Sequence, residues 1–480
     1  MTDQFYTDTL ASAIDGEWTG AAGRDCQPVV NPSTGETLAE LPHVTHDDLD
    51  RALDAAERGW KEWRERTAVE RGTLIRRAAD ILDGRVETIA AHLASEQGKP
   101  LHEARGDVAA GIGLMRWHSE EARRSYGKAL VRPAGKRASV TYQPVGPSAG
   151  FAPWNFPFFN VARKVAPALA AGCSIISKPA EETPASAIAL QAALLDAGVP
   201  GTVAQTVFGD PDMISRHLIA SPIIRKVSFT GSVPVGKHLA QLAAAQMKRT
   251  TFELGGHAPV IIFDDADIEA HLDTLVTAKF RNAGQVCVSP TRFYVQEGIY
   301  DRFAAAMAAR TRALVKPGDP FGDGVTMGPL ANGRRPQAVH ALIEDAARAG
   351  AALLTGGERM DGPGNFYRPT ILKDVPEDAR IMQEEPFGPV AAISPFKTFD
   401  EAIGLANRLP LGLAAYVFTQ NLDRALLASD AIESGMVAVN STSVSSADSP
   451  FGGIKDSGHG LEDGAEGLKA FMVPKVVHIG

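Results

Sequence analysis

CSIIS (173–177), VAQTVF (203–208) and IRKVSFT (224–230) are short, β-rich apolar runs, and each leads into a stretch with helical spacing. The helices are predicted over residues 184–197, 211–220 and 233–247. Strand–helix alternation at this pitch predicts a parallel sheet with helices on both faces. Such a sheet presents its ligand at the carboxyl ends of its strands.

Working outward, residues 49–63 and 69–89 place apolar side chains at three- and four-residue spacing, so each is predicted to be a helix with one buried face. Downstream, a second alternating series runs through PVIIF (259–263), 350–355, VAAISPF (390–396), 414–419 and 436–440. Gly255 and Gly256 separate the two series. The fold class is therefore α/β, with two doubly wound parallel-sheet domains divided near residue 255. Residues 130–145 suit a hairpin with an open edge, and the loosely alternating tail at 469–479 suits a strand added to a neighbour's sheet.

Composition sets the limits. The 480 residues carry 48 Lys+Arg against 57 Asp+Glu, a net charge of −9, with 44% hydrophobic and 22% charged residues. Disordered, collagen-like and coiled-coil chains are excluded. An acidic chain without a basic run is a poor nucleic-acid partner. The longest apolar stretch, 151–176, is interrupted by Arg163 and Lys164, so no membrane span is expected. The first residues carry acids where a secretory leader needs a basic segment. Cys26, Cys173 and Cys287 are far apart, with no Cys-x-x-Cys spacing; neither a disulfide framework nor a metal centre is expected, and a reducing cytoplasm is the natural compartment.

Cys287 lies in Asn282-Ala283-Gly284-Gln285-Val286-Cys287-Val288-Ser289, where small residues let backbone amides approach a reacting atom. A thiolate is a strong nucleophile, although a lone Cys is more often a small buried hydrophobe. Glu253 ends an apolar strand before two glycines, where burial would raise its pKa toward the general-base range; an exposed strand-end Glu is the plain alternative. Phe229-Thr230-Gly231-Ser232 closes a strand and opens a helix, an anion site suited to a pyrophosphate or an ordinary turn. Lys178-Pro179-Ala180-Glu181 also follows a strand and suits bracketing a ribose, or is simply a solvated pair. Gly146-Pro147-Ser148-Ala149-Gly150 matches a hydrolase nucleophile elbow, but Pro153 and Pro157 forbid the helix that the elbow requires.

Taken together and in order, these segments resemble one family, the NAD(P)-dependent aldehyde dehydrogenases. The resemblance rests on Pro153-Trp154-Asn155-Phe156-Pro157, the segments at 178–181, 229–232, 253–256 and 284–287, Glu385-Pro386-Phe387-Gly388-Pro389-Val390 and Pro450-Phe451-Gly452-Gly453. It covers essentially the whole chain. It implies a cofactor domain (1–122 and 144–254), a catalytic domain (255–442) and a small β oligomerisation element (123–143 and 460–480) that builds a homodimer or homotetramer. It implies Cys287 as nucleophile, Glu253 as base, and the Asn155 amide with the Cys287 N–H as oxyanion hole. Lys178 and Glu181 would hold the adenosine ribose, Trp154, Thr230, Gly231 and Ser232 the pyrophosphate, and Glu385 and Phe387 the nicotinamide end. NAD is the expected cofactor, NADP a possible one, because a Glu181 carboxylate repels a 2′-phosphate.

Within that family, the segments at 280–287, 290–293 and 162–169 resemble dehydrogenases of ω-carboxylated semialdehydes, the succinate- and 2-oxoglutarate-semialdehyde enzymes. This implies Arg163, Arg292 and Ser445 as contacts for a substrate carboxylate. Some relatives carry a second Cys two positions after the nucleophile; here that position is Ser289. A coenzyme-A-acylating enzyme and a non-catalytic protein on the same fold are the competing readings, and Glu253 with the intact Cys–Asn set argues against both.

Overall fold

Threonine and proline set the helix starts. Thr45 and Thr67 open His46–Trp63 and Ala68–Asp83 with reciprocal capping boxes to Asp48 and Glu70. Each satisfies two amides that a helix start leaves orphaned. Pro157, Pro184 and Pro211 open Pro157–Ala171, Pro184–Ala197 and Pro211–Ala220, where a missing N–H costs nothing. Gly172 and Gly198 close two of these helices at φ of 95° and 93°, a conformation glycine adopts without a Cβ penalty.

The computed structural model describes residues 10–480; the reading of the acidic first residues as unlike a secretory leader falls outside the described residues. Its first sheet runs, in spatial order, Glu17–Thr19, Ser12–Ile14, Ala204–Thr206, Ile175–Lys178, Ser148–Phe151, Lys226–Thr230, Arg249–Glu253 and Gly458–His459. The strands from Ala204–Thr206 to Arg249–Glu253 are parallel. Strand order reverses between Ser148–Phe151 and Lys226–Thr230, which opens a crevice at their carboxyl ends. Trp154 and Asn155 emerge on one side of it, and Thr230, Gly231 and Ser232 on the other.

The chain leaves this sheet at Glu253 and enters the second at Ala258. The second sheet is ordered Ala352–Thr355, Thr370–Lys373, Val390–Phe396, Pro290–Gln296, Ala258–Ile262, Ala414–Phe418 and Met436–Val439, parallel except for its first pair. Each sheet has its own apolar core. The apolar stretch at 151–176 becomes a strand end and the helix Pro157–Ala171, packed against Leu101–Glu121. No helix among the described residues is long and apolar enough to cross a membrane.

Two expectations need correction. Residues 69–89 are not one helix: Ala68–Asp83 stops at Gly84, whose N–H returns to Asp80, and Val86–Gln97 begins afresh. The C-terminal strand Met472–Ile479 finds its partner within the chain. It pairs antiparallel with Arg137–Pro144, from Met472 opposite Pro144 to Ile479 opposite Arg137, and Lys128–Leu130 completes a three-stranded sheet. Among the described residues nothing pairs with its outer edge, where Val476 and Ile479 are exposed.

Candidate active site

The turn before Cys287 is strained and held. Asn282, Ala283 and Gly284 all take positive φ, at 50°, 53° and 72°. For the two non-glycine residues this costs roughly 1–2 kcal/mol each. A Cβ at Gly284 would lie 2.1 Å from the Gly388 carbonyl oxygen. The Asn282 side chain compensates: its amide donates to the carbonyls of Asn155 (2.8 Å) and Gln285 (3.3 Å), and its Oδ1 accepts from Gln97 Nε2 (2.8 Å). The turn presents Cys287, half-buried, to a cavity of about 1080 Å³. Burial first, then Glu385 and Glu253, push its thiol up to about 12, against the pull of Arg163 and the Val288 amide.

Asn155 faces the same cavity from the Pro153–Pro157 turn. One hydrogen of its side-chain amide goes to the Gln285 carbonyl at 3.2 Å, and its Oδ1 accepts from Asn160 at 3.2 Å. The amide has a second N–H to give. Beside the thiol turn, a free N–H of this kind can meet an oxygen that becomes negative.

Glu253 ends its strand in the cavity wall, buried, with no hydrogen-bond partner at either carboxyl oxygen among the described residues. Burial, then the nearby Glu462 carboxylate, hold its carboxyl well above the usual range, while Arg163 and Lys164 oppose them. Lys164 fixes Glu462, with Nζ 2.8 Å from its Oε1 and 2.7 Å from Thr230 Oγ1. A buried carboxyl free of protein partners beside a thiol can serve as a proton acceptor for water.

The residues at the other end of the cavity fit a dinucleotide. Trp154, Glu181, Thr230, Gly231, Ser232 and Glu385 line it, with Phe387 edge-on to Trp154 at 5.5 Å. Lys178 stands behind Glu181, paired with its carboxylate and donating to the Pro179 carbonyl at 3.2 Å. Ser232 precedes the helix Val233–Ala245, whose free N-terminal amides suit a pyrophosphate. A Cβ at Gly255 would lie 2.4 Å from Glu385 Oε2, so glycine is what lets that carboxylate enter the cradle. Burial pushes it up to about 8. Arg335, which sequence reading missed, lines the cavity and donates to the Phe387 carbonyl at 3.1 Å, holding that residue at φ 42°.

The arginines differ from expectation. Arg292 does not line the cavity. It points from its strand into the packing beneath Phe399–Asn407 and donates to the carbonyls of His257 (2.9 Å), Leu405 (3.1 Å) and Ala406 (3.2 Å). Arg163 does line the cavity, but its guanidinium is bidentate on Asp463 and lies between the Phe159 and Phe451 rings at 4.3 and 4.2 Å. Its charge is already paired. A second cation that sequence reading missed is Arg281, exposed in the cavity wall near Phe156. It makes no ion pair within 4.0 Å among the described residues. Its signal was its place inside the quoted stretch 280–287. Ser445 lines the cavity.

The aldehyde dehydrogenase family model matches residues 18–477. A 4-(hydroxymethyl)benzenesulfonate dehydrogenase of Comamonas testosteroni is 47% identical, with 97% of each chain covered. The NADP(+) succinate-semialdehyde dehydrogenase of Escherichia coli is 40% identical, again over 97% of each chain. The crystal structure of a succinate-semialdehyde dehydrogenase from Burkholderia pseudomallei, 42% identical, superposes with a TM-score of 0.96 over 98% of this chain and 97% of that one. With a thiol, an amide and a carboxyl gathered in one cavity and a family match across nearly all its length, this chain belongs to the aldehyde dehydrogenase family, oxidoreductases that act on aldehydes.

Proposed function

We propose that the enzyme oxidises an aldehyde bearing a distal negative charge, such as succinate semialdehyde, to the carboxylic acid through a thioester on Cys287. The observation that carries the substrate class is Arg281, a guanidinium in the cavity wall with no ion pair within 4.0 Å among the described residues.

The chemistry follows from the residues. Cys287, as the thiolate after its proton passes to solvent in the cavity, adds to the aldehyde carbon, and the oxygen that becomes negative is met by the free Asn155 N–H and the Cys287 amide. Each such donor is worth roughly 3–4 kcal/mol. NAD(P), when bound, supplies the acceptor for the hydride whose loss turns the adduct into a thioester. Trp154, Glu181 and the 230–232 turn would hold its adenosine and pyrophosphate half, and Glu385 and Phe387 its nicotinamide half. Glu253 then takes a proton from the water that cleaves the thioester.

Kinetics of Arg281→Gln test the substrate class. With succinate semialdehyde, kcat/KM should fall roughly ten- to a hundred-fold, the cost of one charge-assisted bond, while a neutral aldehyde of similar length is spared. An equal loss on both would remove the assignment. A wider substrate, such as an aryl sulfonate aldehyde, is a second reading. Gly106, Ala110 and Gly113 on the cavity-facing side of Leu101–Glu121 favour it, since a Cβ at Gly106 or Gly113 would meet nothing within 4 Å. The Comamonas relative, named for a benzenesulfonate, agrees with it. A 2-oxo five-carbon semialdehyde fits the same charge. The free thiols of Cys26, Cys173 and Cys287 suit a reducing cytoplasm; disulfide-linked protein in extracts made under thiol-blocking conditions would contradict that placement.

A further inference from the structure

Lys99 is buried, does not line the cavity, and plays no part in the chemistry above. Its ammonium donates to Asp107 Oδ2 at 2.9 Å and to the backbone carbonyl of Asn155 at 2.8 Å, and it lies 4.0 Å from the centre of the Phe156 ring. Burying a lysine is costly unless it is paired and hydrogen-bonded, so its place needs a reason. The same Asn155 carbonyl accepts from Asn282 Nδ2. Asn282 is in turn held by Gln97, whose Oε1 accepts from the Lys99 amide at 3.0 Å. Between them, Gly98 takes φ 91°, and a Cβ there would strike the side chains of Pro329 and Pro32 at 2.8 and 2.9 Å. Asp107 reaches onward from its other oxygen to the Phe159 amide at 2.9 Å. One tight turn after Val86–Gln97 thus grips both the Asn155 loop and the strained turn that leads to Cys287.

We propose that Lys99, acting with Gln97, is a positioning residue that sets the two halves of the oxyanion hole relative to each other. The ammonium fixes the Asn155 backbone, and so the aim of its side-chain amide. Gln97 fixes Asn282, and so the turn that carries the Cys287 N–H. The proposal rests on the reading of Asn155 as an oxyanion donor.

In the full-length enzyme with NAD, Lys99→Met should slow the pre-steady-state formation of NADH roughly ten- to a hundred-fold, less than or equal to the loss of one oxyanion donor. Alkylation of Cys287 by iodoacetamide builds no oxyanion and should keep its rate. Hydrolysis of p-nitrophenyl acetate on the same thiol does build one, and should fall in parallel with oxidation. In an Asn155→Ala background, Lys99→Met should cost less than about two-fold more, because its effect runs through that amide. Gln97→Met leaves no buried charge alone and gives the same contrast between ester hydrolysis and alkylation if Lys99→Met fails to fold. Equal losses of alkylation and ester hydrolysis, or effects that multiply independently with Asn155→Ala, would overturn the proposal. Wild-type oxidation by Asn155→Ala itself would instead remove the oxyanion reading beneath it.

Discussion

Arg163 donates two hydrogen bonds to Asp463, from Nε to Oδ1 at 3.0 Å and from Nη2 to Oδ2, across 300 residues of chain. The pair joins the helix Pro157–Ala171 to the segment before the C-terminal strand, and both partners are buried. A guanidinium spent in this way braces the cavity wall and leaves little charge for a substrate.

Arg163→Ala should therefore act on stability. It leaves Asp463 buried and unpaired, a change that typically costs about 3–5 kcal/mol. Urea denaturation should register the loss, and residual activity should fall alike on charged and neutral aldehydes. Arg292→Ala, which strips donors from three buried carbonyls, should likewise lower the unfolding midpoint without altering that selectivity. Loss confined to charged aldehydes in either variant would restore the clamp first expected for these arginines.

The contrast among the arginines marks how far sequence reading reaches. The helices Pro184–Ala197 and Pro211–Ala220 were legible to the residue because proline opens each and apolar spacing carries them. The strand ends at Thr230 and Glu253 were legible because turn residues follow apolar runs, and the end at Lys178 was read one residue early, at Ser177. The break at Gly84 was not, since the apolar spacing of residues 69–89 continues across it. Nor could spacing tell which way an arginine points. Arg292 lies five positions after Cys287 and turns into the core, while Arg281 lies six before it and faces the cavity. Lys99 and Asp463 act on partners 56 and 300 residues away, and no local pattern announces such pairs.

The acid side of the pH profile belongs to Glu253. Its carboxyl is raised by burial and by Glu462, and a base works only when deprotonated, so thioester hydrolysis should quicken as pH rises through this elevated pKa. Glu462→Gln removes a neighbouring negative charge and leaves Lys164 unpaired. Both changes lower the Glu253 pKa and should move the acid limb of kcat to lower pH. A limb that stays in place or moves up would separate Glu253 from that titration.

Cofactor choice should follow Glu181. A carboxylate there accepts from ribose hydroxyls and repels a 2′-phosphate, although its pairing with Lys178 softens the repulsion. We expect kcat/KM to favour NAD over NADP, and Glu181→Ser to narrow the gap. Equal or better use of NADP by the unaltered enzyme would contradict this.

The open edge of the three-stranded sheet, with Val476 and Ile479 exposed, is where a second copy would add. Light scattering should find a dimer or tetramer at micromolar concentration. An active monomer would rule that assembly out as a requirement.

The central claim is that Cys287 carries the acyl group and Glu253 releases it. Glu253→Gln, mixed rapidly with NAD and succinate semialdehyde, should give a burst of NADH close to one per active site and then stall, with the acyl mass on the peptide that holds Cys287. Steady turnover at the wild-type rate without a burst, or an acyl group found on another residue, would contradict it.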